Sequence, residues 1–191
     1  MCPQVSNRAA LLEGALRCLE RLPAERVTAR AIAEEAGANL ASISYHFGSK
    51  DGLLTEAVVL GLDRWLEQIG AALSGARLPD GPTRFRRAWE VVEATRVRHL
   101  GLARAFVAAM ARAQHDEAVR TALAAGFAKT RVPVAELLDL GADQPGRDAA
   151  GLVLAMFYGL LLQGLLDPTL GMEGRRMAAA QTRLRTALPP A

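Results

Sequence analysis

Small and polar side chains are concentrated between residues 39 and 46, where the sequence reads NLASISYH. In a helix, Ile43 would turn toward a core, and part of the remaining set would face outward. The small or polar members of that set are Asn39, Ala41, Ser42, Ser44, Tyr45 and His46. Amide and hydroxyl groups form hydrogen bonds with base edges, and Tyr and Ser hydroxyls also reach phosphate oxygens. Because these side chains are small, such a helix could approach a major groove closely.

Two cations flank this segment at positions that a helix disfavours. Arg30 falls in the first turn of one predicted helix, and Lys50 falls in the first turn of another. A positive charge at a helix N-terminus opposes the helix dipole, whereas a phosphate group is attracted there. An anionic backbone docked at both N-termini would explain the two cations. Ordinary solvated surface charges are the alternative.

The elements that must position these residues are short helices with clear start and stop signals. Ser6 can cap a helix that runs to about residue 22 and stops at Pro23. Thr28 can cap a helix over 29–36 that Gly37 ends, and a third helix covers about 40–46. After Gly48, a long helix covers about 50–73. The tight turn at Gly37 between two short helices predicts a helix-turn-helix.

The segment AIAEEAGANLASISYHFGSKDGLL, residues 31–54, resembles the DNA-binding signature of TetR-type transcriptional regulators. The matching positions are Ile32-Ala33, Ala36-Gly37, Tyr45-His46-Phe47, Ser49-Lys50-Asp51 and Leu53-Leu54. The likeness covers about residues 8–60 and departs from the family at Ser44, where Tyr is frequent. It implies a three-helix DNA-binding head followed by a larger helical domain that binds a ligand and dimerises.

The resemblance also implies roles for individual residues. The positions that would contact the DNA backbone are Thr28, Arg30, Tyr45, His46 and Lys50. The positions that would lie in or near the major groove are Asn39, Leu40, Ala41, Ser42 and Ser44. For His46, a packed role without DNA contact is the alternative.

The rest of the 191 residues also follows a helical pattern. Hydrophobic residues make up 51% of the chain and aromatic residues only 5%, which favours packed helices over sheets. Further helices are predicted over 83–99, 101–113, 116–140 with an interruption at Pro133, 147–166 and 173–187. Loops are predicted at 75–82 and 141–146. We therefore expect an all-α fold of about nine helices, with the DNA-binding head at 1–48 and the helical ligand-binding and dimerisation domain at 49–191.

The segment AAGLVLAMFYGLLLQGLL, residues 149–166, is apolar on almost every side. Gly151, Ala155 and Gly159 recur at four-residue spacing, which allows another helix to come close. A second copy of the chain would cover this helix, and a monomer core is the alternative. A membrane span is disfavoured because the stretch is shorter than about 20 residues. By resemblance, the last two helices form the dimer interface, which on the final helix would include Met177, Ala180 and Leu184.

A ligand pocket in the C-terminal domain is marked by large apolar side chains. The candidate apolar lining is Trp65, Trp89, Phe106, Met110 and Phe157, for which plain core packing is the alternative. Arg96 and His99 continue the stripe of Trp89 and could hold an anionic head group. A surface position or a buried ion pair is the alternative for both. The sequence therefore predicts an unknown, mainly hydrophobic small-molecule effector.

Several other function classes lack their signatures. Two cysteines and three dispersed histidines, His46, His99 and His115, give no disulfide framework and no metal site, so no metal or cofactor is expected. No glycine-rich phosphate loop or nucleophile elbow is present, which argues against an enzyme. Charges interrupt the N-terminal segment, so we expect no signal peptide and a cytoplasmic protein.

These observations favour one function and leave one alternative. We expect a ligand-responsive repressor that binds a palindromic double-stranded DNA operator as a homodimer and does not bind a membrane. The alternative is a helical small-molecule-binding or adaptor protein without DNA-binding activity. The formal net charge of +3 is compatible with nucleic acid but does not indicate it.

Overall fold

The computed structural model describes residues 6–22, 26–74, 80–172 and 174–187. Within these ranges the chain forms nine α-helices, a short 3₁₀ helix (Pro168–Leu170) and no strand. The helices are α1 (Asn7–Arg21), α2 (Ala29–Ala36), α3 (Ala41–Phe47), α4 (Lys50–Ser74), α5 (Gly81–Thr95), α6 (Leu100–Arg112), α7 (Glu117–Leu138), α8 (Gln144–Leu166) and α9 (Gly174–Ala187). The predicted all-helical fold is confirmed.

Side-chain caps explain where the first two helices begin. Ser6 Oγ accepts a hydrogen bond from the Ala9 N–H at 3.3 Å, and Thr28 Oγ1 accepts one from the Ala31 N–H at 3.1 Å. Each cap satisfies a backbone donor that the helix itself leaves free. Gly37 ends α2 with φ of 60°, a left-handed conformation that glycine adopts without steric cost. The predicted stop at Pro23 lies outside the described residues.

Contacts divide the chain into two compact units. The first unit contains the described residues up to Trp65 together with Arg98–Thr130. In it, α1 packs against α2, α3 and α6. The buried apolar side chains of this unit include Leu11, Ala15, Ile32, Ile43, Leu53 and Val58. This core holds the helix-turn-helix on α1. The functional boundary at residue 48 stays a prediction.

The second unit contains Leu66–Val97 and the described residues from Arg131 onward. Its core joins α7 and α8 through Val134, Ala135, Leu138, Ala150 and Leu154, and Phe85 of α5 packs against this cluster. The predicted interruption at Pro133 is wrong, because α7 runs through it as one helix. Proline removes a helix hydrogen bond, but burial of the residues that follow it offsets that loss.

Two predicted helix boundaries also differ from the structure. Helix α5 ends at Thr95 rather than at residue 99, and the Arg96 N–H donates to the Glu93 carbonyl at 3.4 Å in a turn. Helix α8 begins at Gln144 rather than at residue 147, because Asp143 Oδ1 accepts from the Gly146 N–H at 3.0 Å. Proline in the first turn fits such a start.

Helix α8 is long and apolar enough, by length and composition, to cross a membrane. Only 22% of its most apolar window is buried within the chain. A single helix of this kind is weak evidence for a membrane protein, since core helices of other proteins have the same composition. Exposure of this apolar surface to water is nevertheless unfavourable, so we expect another surface to pack against it.

Candidate nucleic-acid interface

Helix α3 and the turn before it present one buried side and one outward side. Ile43 is 2% exposed and belongs to the core of the first unit. On the outward side, Tyr45 is 85% exposed. The other predicted contact residues of this segment are at least partly exposed: Asn39, Leu40, Ala41, Ser42, Ser44 and His46. The segment thus offers a face of mostly small or polar side chains.

Asn39 also starts the helix. Its Oδ1 accepts a hydrogen bond from the Ala41 N–H, and its backbone carbonyl accepts one from the Ser42 N–H, both at 2.9 Å. The carboxamide oxygen is therefore used by the turn. The NH₂ group of the same side chain can still donate to an acceptor on a base or a phosphate.

The two flanking cations lie at helix N-termini, as predicted for their positions in the sequence. Arg30 is exposed in the first turn of α2, next to the Thr28 cap. Lys50 is the first residue of α4, and 41% of its side chain is exposed. At both places a positive side chain lies beside backbone N–H groups that favour an anion.

The end of α3 and the start of α4 are held tightly together. Ser49 Oγ accepts a hydrogen bond from the Gly52 N–H at 3.0 Å. A Cβ added at Gly52 would lie only 2.3 Å from the Phe47 carbonyl oxygen, so the backbone leaves no room for a side chain there. This close approach fixes where Lys50 lies relative to α3.

The aromatic end of α3 is braced by neighbouring rings and by α1. The Tyr45 and His46 rings meet edge to face at 4.8 Å, and the His46 and Phe47 rings meet at 6.2 Å. The Arg8 guanidinium lies 5.2 Å from the centre of the Phe47 ring and also donates to Glu56 of α4. These contacts restrict the exposed Tyr45 ring without covering it.

Ion pairs tie the helices of the first unit to one another. Arg17 Nε of α1 donates to Glu35 Oε1 of α2 at 2.6 Å, and Arg21 donates to the same carboxylate. The hydrogen bond from Arg17 is the main cause that lowers the pKa of Glu35. A second pair joins Arg64 of α4 to Glu13 of α1, and its hydrogen bond lowers the pKa of Glu13.

Sequence reasoning did not single out four residues that shape this site: Gly14, Glu35, Gly52 and Arg112. A Cβ at Gly14 would lie 2.9 Å from the Ala36 Cβ, so α1 and α2 touch at this glycine. Glycines inside helical patterns are a signal of close packing, and that signal was available for Gly14 and Gly52. Glu35 and Arg112 are charged residues whose partners lie far away in sequence, so no local pattern reveals them.

Residues 11–57, which contain most of these contacts, match the sequence model of the bacterial regulatory proteins of the tetR family. The likeness to the tetR family lies in this segment, which spans α2 and α3. The matched segment includes the helix-turn-helix of α2 and α3, the part that would bind DNA in a regulator of this type. No curated protein matches the sequence.

Several solved structures share the fold over most of the chain. A protein from Pseudomonas aeruginosa PAO1 is 24% identical, with a TM-score of 0.63 over 88% of this chain and 83% of that chain. One from Rhodococcus sp. RHA1 is 17% identical, with a TM-score of 0.69 over 83% and 84%. One from Saccharomonospora viridis, solved in complex with choline, is 23% identical, with a TM-score of 0.59 over 94% and 95%. All three are described as transcriptional regulators.

In the second unit, three predicted ligand residues line one cleft, which we call the α5–α8 cleft. Trp89, Arg96 and Phe157 lie on it. The other lining residues are Val92, Glu93, Leu160, Leu161, Gly164, Gly171 and Met172. Its volume is about 30 Å³, room for a few water molecules. Trp89 Nε1 donates to the Met172 carbonyl oxygen at 2.8 Å, which fixes the indole ring.

The other four predicted ligand residues lie in the first unit. The rings of Trp65 and His99 are 4.5 Å apart and tilted by 35°. Burial lowers the pKa of His99, and its Nε2 has no hydrogen-bond partner within the described residues. Phe106 is buried against Phe127, with ring centres 6.0 Å apart, whereas Met110 is 38% exposed.

The predicted dimer residues of α8 and α9 fall into two groups. Gly151 and Met177 pack within the chain: a Cβ at Gly151 would lie 3.0 Å from the Arg131 guanidinium carbon, and Met177 is 3% exposed. Around Gly159 there is open space, and the exposed members are Ala155, Ala180 and Leu184. The sequence did not single out Leu152, Leu162 and Leu166, which are 75%, 41% and 85% exposed on α8.

Proposed function

We propose that this chain is a repressor that binds a palindromic DNA operator as a homodimer and is released by a small effector. Residues 1–48 would bind the DNA, and residues 49–191 would bind the effector and dimerise. The observation that carries the proposal is the outward face of α3, flanked by Arg30 and Lys50 at two helix N-termini. This arrangement offers base contacts from the helix and phosphate contacts from its neighbours.

The proposed binding mode follows from the size of that face. One short helix makes few contacts, so a single head has too little affinity for a specific site. Two heads in successive major grooves, about 34–36 Å apart, would double the contacts and require a two-fold symmetric operator. The outward side chains of α3 would read the bases, and Thr28, Arg30, Tyr45 and Lys50 would hold the backbone.

The chain offers a matched test, because it contains only two lysines, Lys50 and Lys129. Lys129 is 70% exposed and pairs with Asp63. Lys50→Ala should weaken binding to every duplex and lower the slope of log K against log salt by about one for each head. Lys129→Ala should change neither quantity. A chain that shows no salt-dependent binding to duplex DNA would instead be the adaptor or small-molecule carrier.

The homodimer proposal is supported by the surface of α8. Ala155, Gly159 and Leu162 lie at three- and four-residue spacing on a side that the chain itself leaves uncovered. Leu152 and Leu166 extend the same side at both ends. A second copy of α8 and α9 would bury this surface and gain the free energy of removing apolar area from water. A covered α8 is also consistent with the cytoplasmic location that we propose.

The effector is proposed to bind in the α5–α8 cleft. Its lining is mainly apolar and includes one cation, Arg96, and one anion, Glu93, which favours a mainly hydrophobic molecule, with Arg96 as the group that could bind a carboxylate. The S. viridis protein was solved with choline, a cation, so choline is a useful comparison ligand in a cleft that contains both Glu93 and Arg96. Ligand pockets usually measure about 300–1,000 Å³, so the cleft must open to admit an effector. That opening gives the ligand a way to shift the conformation of the second unit.

Titration of a preformed DNA complex with aromatic and aliphatic carboxylates tests the effector proposal. A carboxylate that binds should lower DNA affinity by no more than its preference for the released state, typically about 5- to 150-fold. Arg96→Ala should weaken carboxylate binding and leave unliganded DNA binding intact. Arg87→Ala is the matched control on α5, since Arg87 pairs with Glu90 away from the cleft lining. If every bound ligand leaves DNA affinity unchanged, the C-terminal domain only dimerises.

A further inference from the structure

The first turn of α4 contains a carboxylate that two cations share. Asp51 Oδ1 lies 3.9 Å from Lys50 Nζ and 3.8 Å from Arg112 Nη1. Lys50 and Asp51 are neighbours at the start of α4, whereas Arg112 is the last residue of α6. The three side chains are partly exposed, at 41%, 46% and 29%. A residue from α6 therefore reaches the turn that carries the proposed phosphate anchor.

Asp51 is suited to the helix dipole but not to DNA. A carboxylate in the first turn stabilises a helix, yet it repels a phosphate that approaches the same N-terminus. It also attracts the Lys50 ammonium, which must leave it to reach a phosphate. With Arg112 as a second partner, Asp51 stays neutralised when Lys50 turns to the DNA, and the three groups together keep one net positive charge.

The Arg112 side chain also has a nitrogen that the fold leaves unpaired. Its Nε is buried and has no hydrogen-bond partner among the described residues. A buried donor without a partner destabilises the fold, and an apolar side chain of similar length would avoid that cost. Hydrogen bonding within the fold therefore does not account for the whole guanidinium group, which fits a role in binding.

We propose that Arg112 is a positioning residue for DNA binding: it neutralises Asp51 and so frees Lys50 for a phosphate. The inference rests on the proposed DNA-binding function. It assigns a role in the interface to a residue 62 positions beyond Lys50 in the chain, outside the segment that matches the family.

Arg112→Met tests this role, because methionine keeps an apolar stem and removes the charge. DNA affinity should fall by up to about fivefold for each head, the range expected for a partly exposed charge pair. Thermal stability should change little, because loss of the unpaired Nε and loss of a cation in the last turn of α6 have opposite effects. Arg104→Met is the matched control, since Arg104 is an exposed arginine on the same helix. A fall in DNA affinity that accompanies a fall in melting temperature would show a structural role and overturn the proposal.

Repeating the substitution in an Asp51→Asn background tests whether Arg112 acts through Asp51 or contacts a phosphate itself. Without the carboxylate there is nothing to neutralise, so Arg112→Met should then change DNA affinity by less than about twofold, the limit set by double-mutant additivity. If Arg112→Met weakens binding equally in both backgrounds, Arg112 contacts a phosphate itself and the proposal is wrong. If Arg112→Met and the wild-type protein bind DNA with equal affinity, only this proposal is overturned. If the wild-type protein shows no salt-dependent DNA binding at all, the proposed function is overturned as well.

Discussion

A polar side chain in the head can form a hydrogen bond within its own helix or with DNA, and the two uses exclude each other at any one atom. Asn39 shows this competition, because its Oδ1 already accepts from the Ala41 N–H while its NH₂ group can serve an outside acceptor. Ser42 is different, since its backbone N–H is used within the turn and its hydroxyl remains for a base edge. Substitutions at these two positions should therefore have separable effects.

Ser42→Ala should relax sequence preference without loss of stability. Asn39→Ala should relax it too, but should also cost the cap, about 0.5–2 kcal/mol. Asn39→Ser keeps a side-chain oxygen that can accept from the backbone, so it should retain the stability but not the sequence preference. Competition between matched and mismatched duplexes measures the preference, and urea unfolding measures the stability. Unchanged discrimination in Ser42→Ala would remove Ser42 from the groove.

The ion pair between Glu13 and Arg64 predicts a pH dependence of stability. The hydrogen bond from Arg64 lowers the pKa of Glu13 below its ordinary value of 4.5. A lowered carboxyl pKa means that the pair stabilises the fold above pH 4.5, and that this contribution is lost as the pH falls through the lowered value. Glu13→Gln should therefore reduce stability at pH 7 and make no difference in strong acid.

The exposure of this pair keeps the expected effect small, and 1 M salt should reduce it further. Glu67→Gln, at an exposed glutamate on α4, is the control and should show no comparable pH-dependent difference. Urea midpoints at neutral and acid pH would check both variants. A Glu13→Gln effect of equal size at both pH values would mean that the ion pair does not cause it.

At the scale of helices, the stability of the fold depends on places where two helices approach each other closely. Gly14 lets α1 meet α2: an added Cβ would lie 2.9 Å from the Ala36 Cβ and 3.0 Å from the Ile32 carbonyl oxygen. Gly70 on α4 has no such neighbour, since its Cβ would lie 3.8 Å from the nearest atom, Leu137 Cδ1. The two glycines therefore make opposite predictions.

Gly14→Ala should destabilise the head by about 1–3 kcal/mol, because the methyl group overpacks the contact between the helices. Gly70→Ala should stabilise the chain by up to about 1 kcal/mol, because alanine favours a helix and the space is free. Thermal unfolding of the two variants measures both effects. Stabilisation by Gly14→Ala would show that α1 and α2 lie further apart than described.

The difference between local and long-range contacts explains how much of the fold and of the candidate site could be predicted from the sequence. Caps, glycine stops and apolar spacing depend on neighbouring residues, so α1 to α4 and the outward face of α3 were predicted within a few positions. The contacts of Glu35 and Arg112 join residues far apart in sequence and leave no local pattern, whereas Gly14 left a local signal, a glycine inside a helical pattern. The end of α5 was wrong for a related reason: its helical spacing continues to residue 99, but the backbone turns after Thr95.

At the scale of the whole molecule, the proposed binding of a palindromic operator requires two heads held at a fixed distance. Within one chain, α8 leaves Leu152, Ala155, Leu162 and Leu166 exposed. A partner subunit that covers this surface would join the heads, and each bound head would raise the effective concentration of the other. Dimerisation and operator affinity should therefore be lost together.

Gly159→Leu separates the fold of one chain from the assembly of two. A Cβ added at Gly159 would have nothing of its own chain within 4 Å, so the monomer has open space at this position and leucine suits the helix. At a two-fold interface between closely packed helices, the same leucine overpacks by about 1–3 kcal/mol and appears twice. Sedimentation should show a monomer with unchanged helical content, and operator affinity should fall toward that for non-specific DNA. Ala124→Leu, at an exposed alanine on α7, adds the same apolar bulk elsewhere and should remain a dimer. A dimeric Gly159→Leu protein with normal operator affinity would place the interface on another surface and leave the exposed side of α8 without its proposed cover.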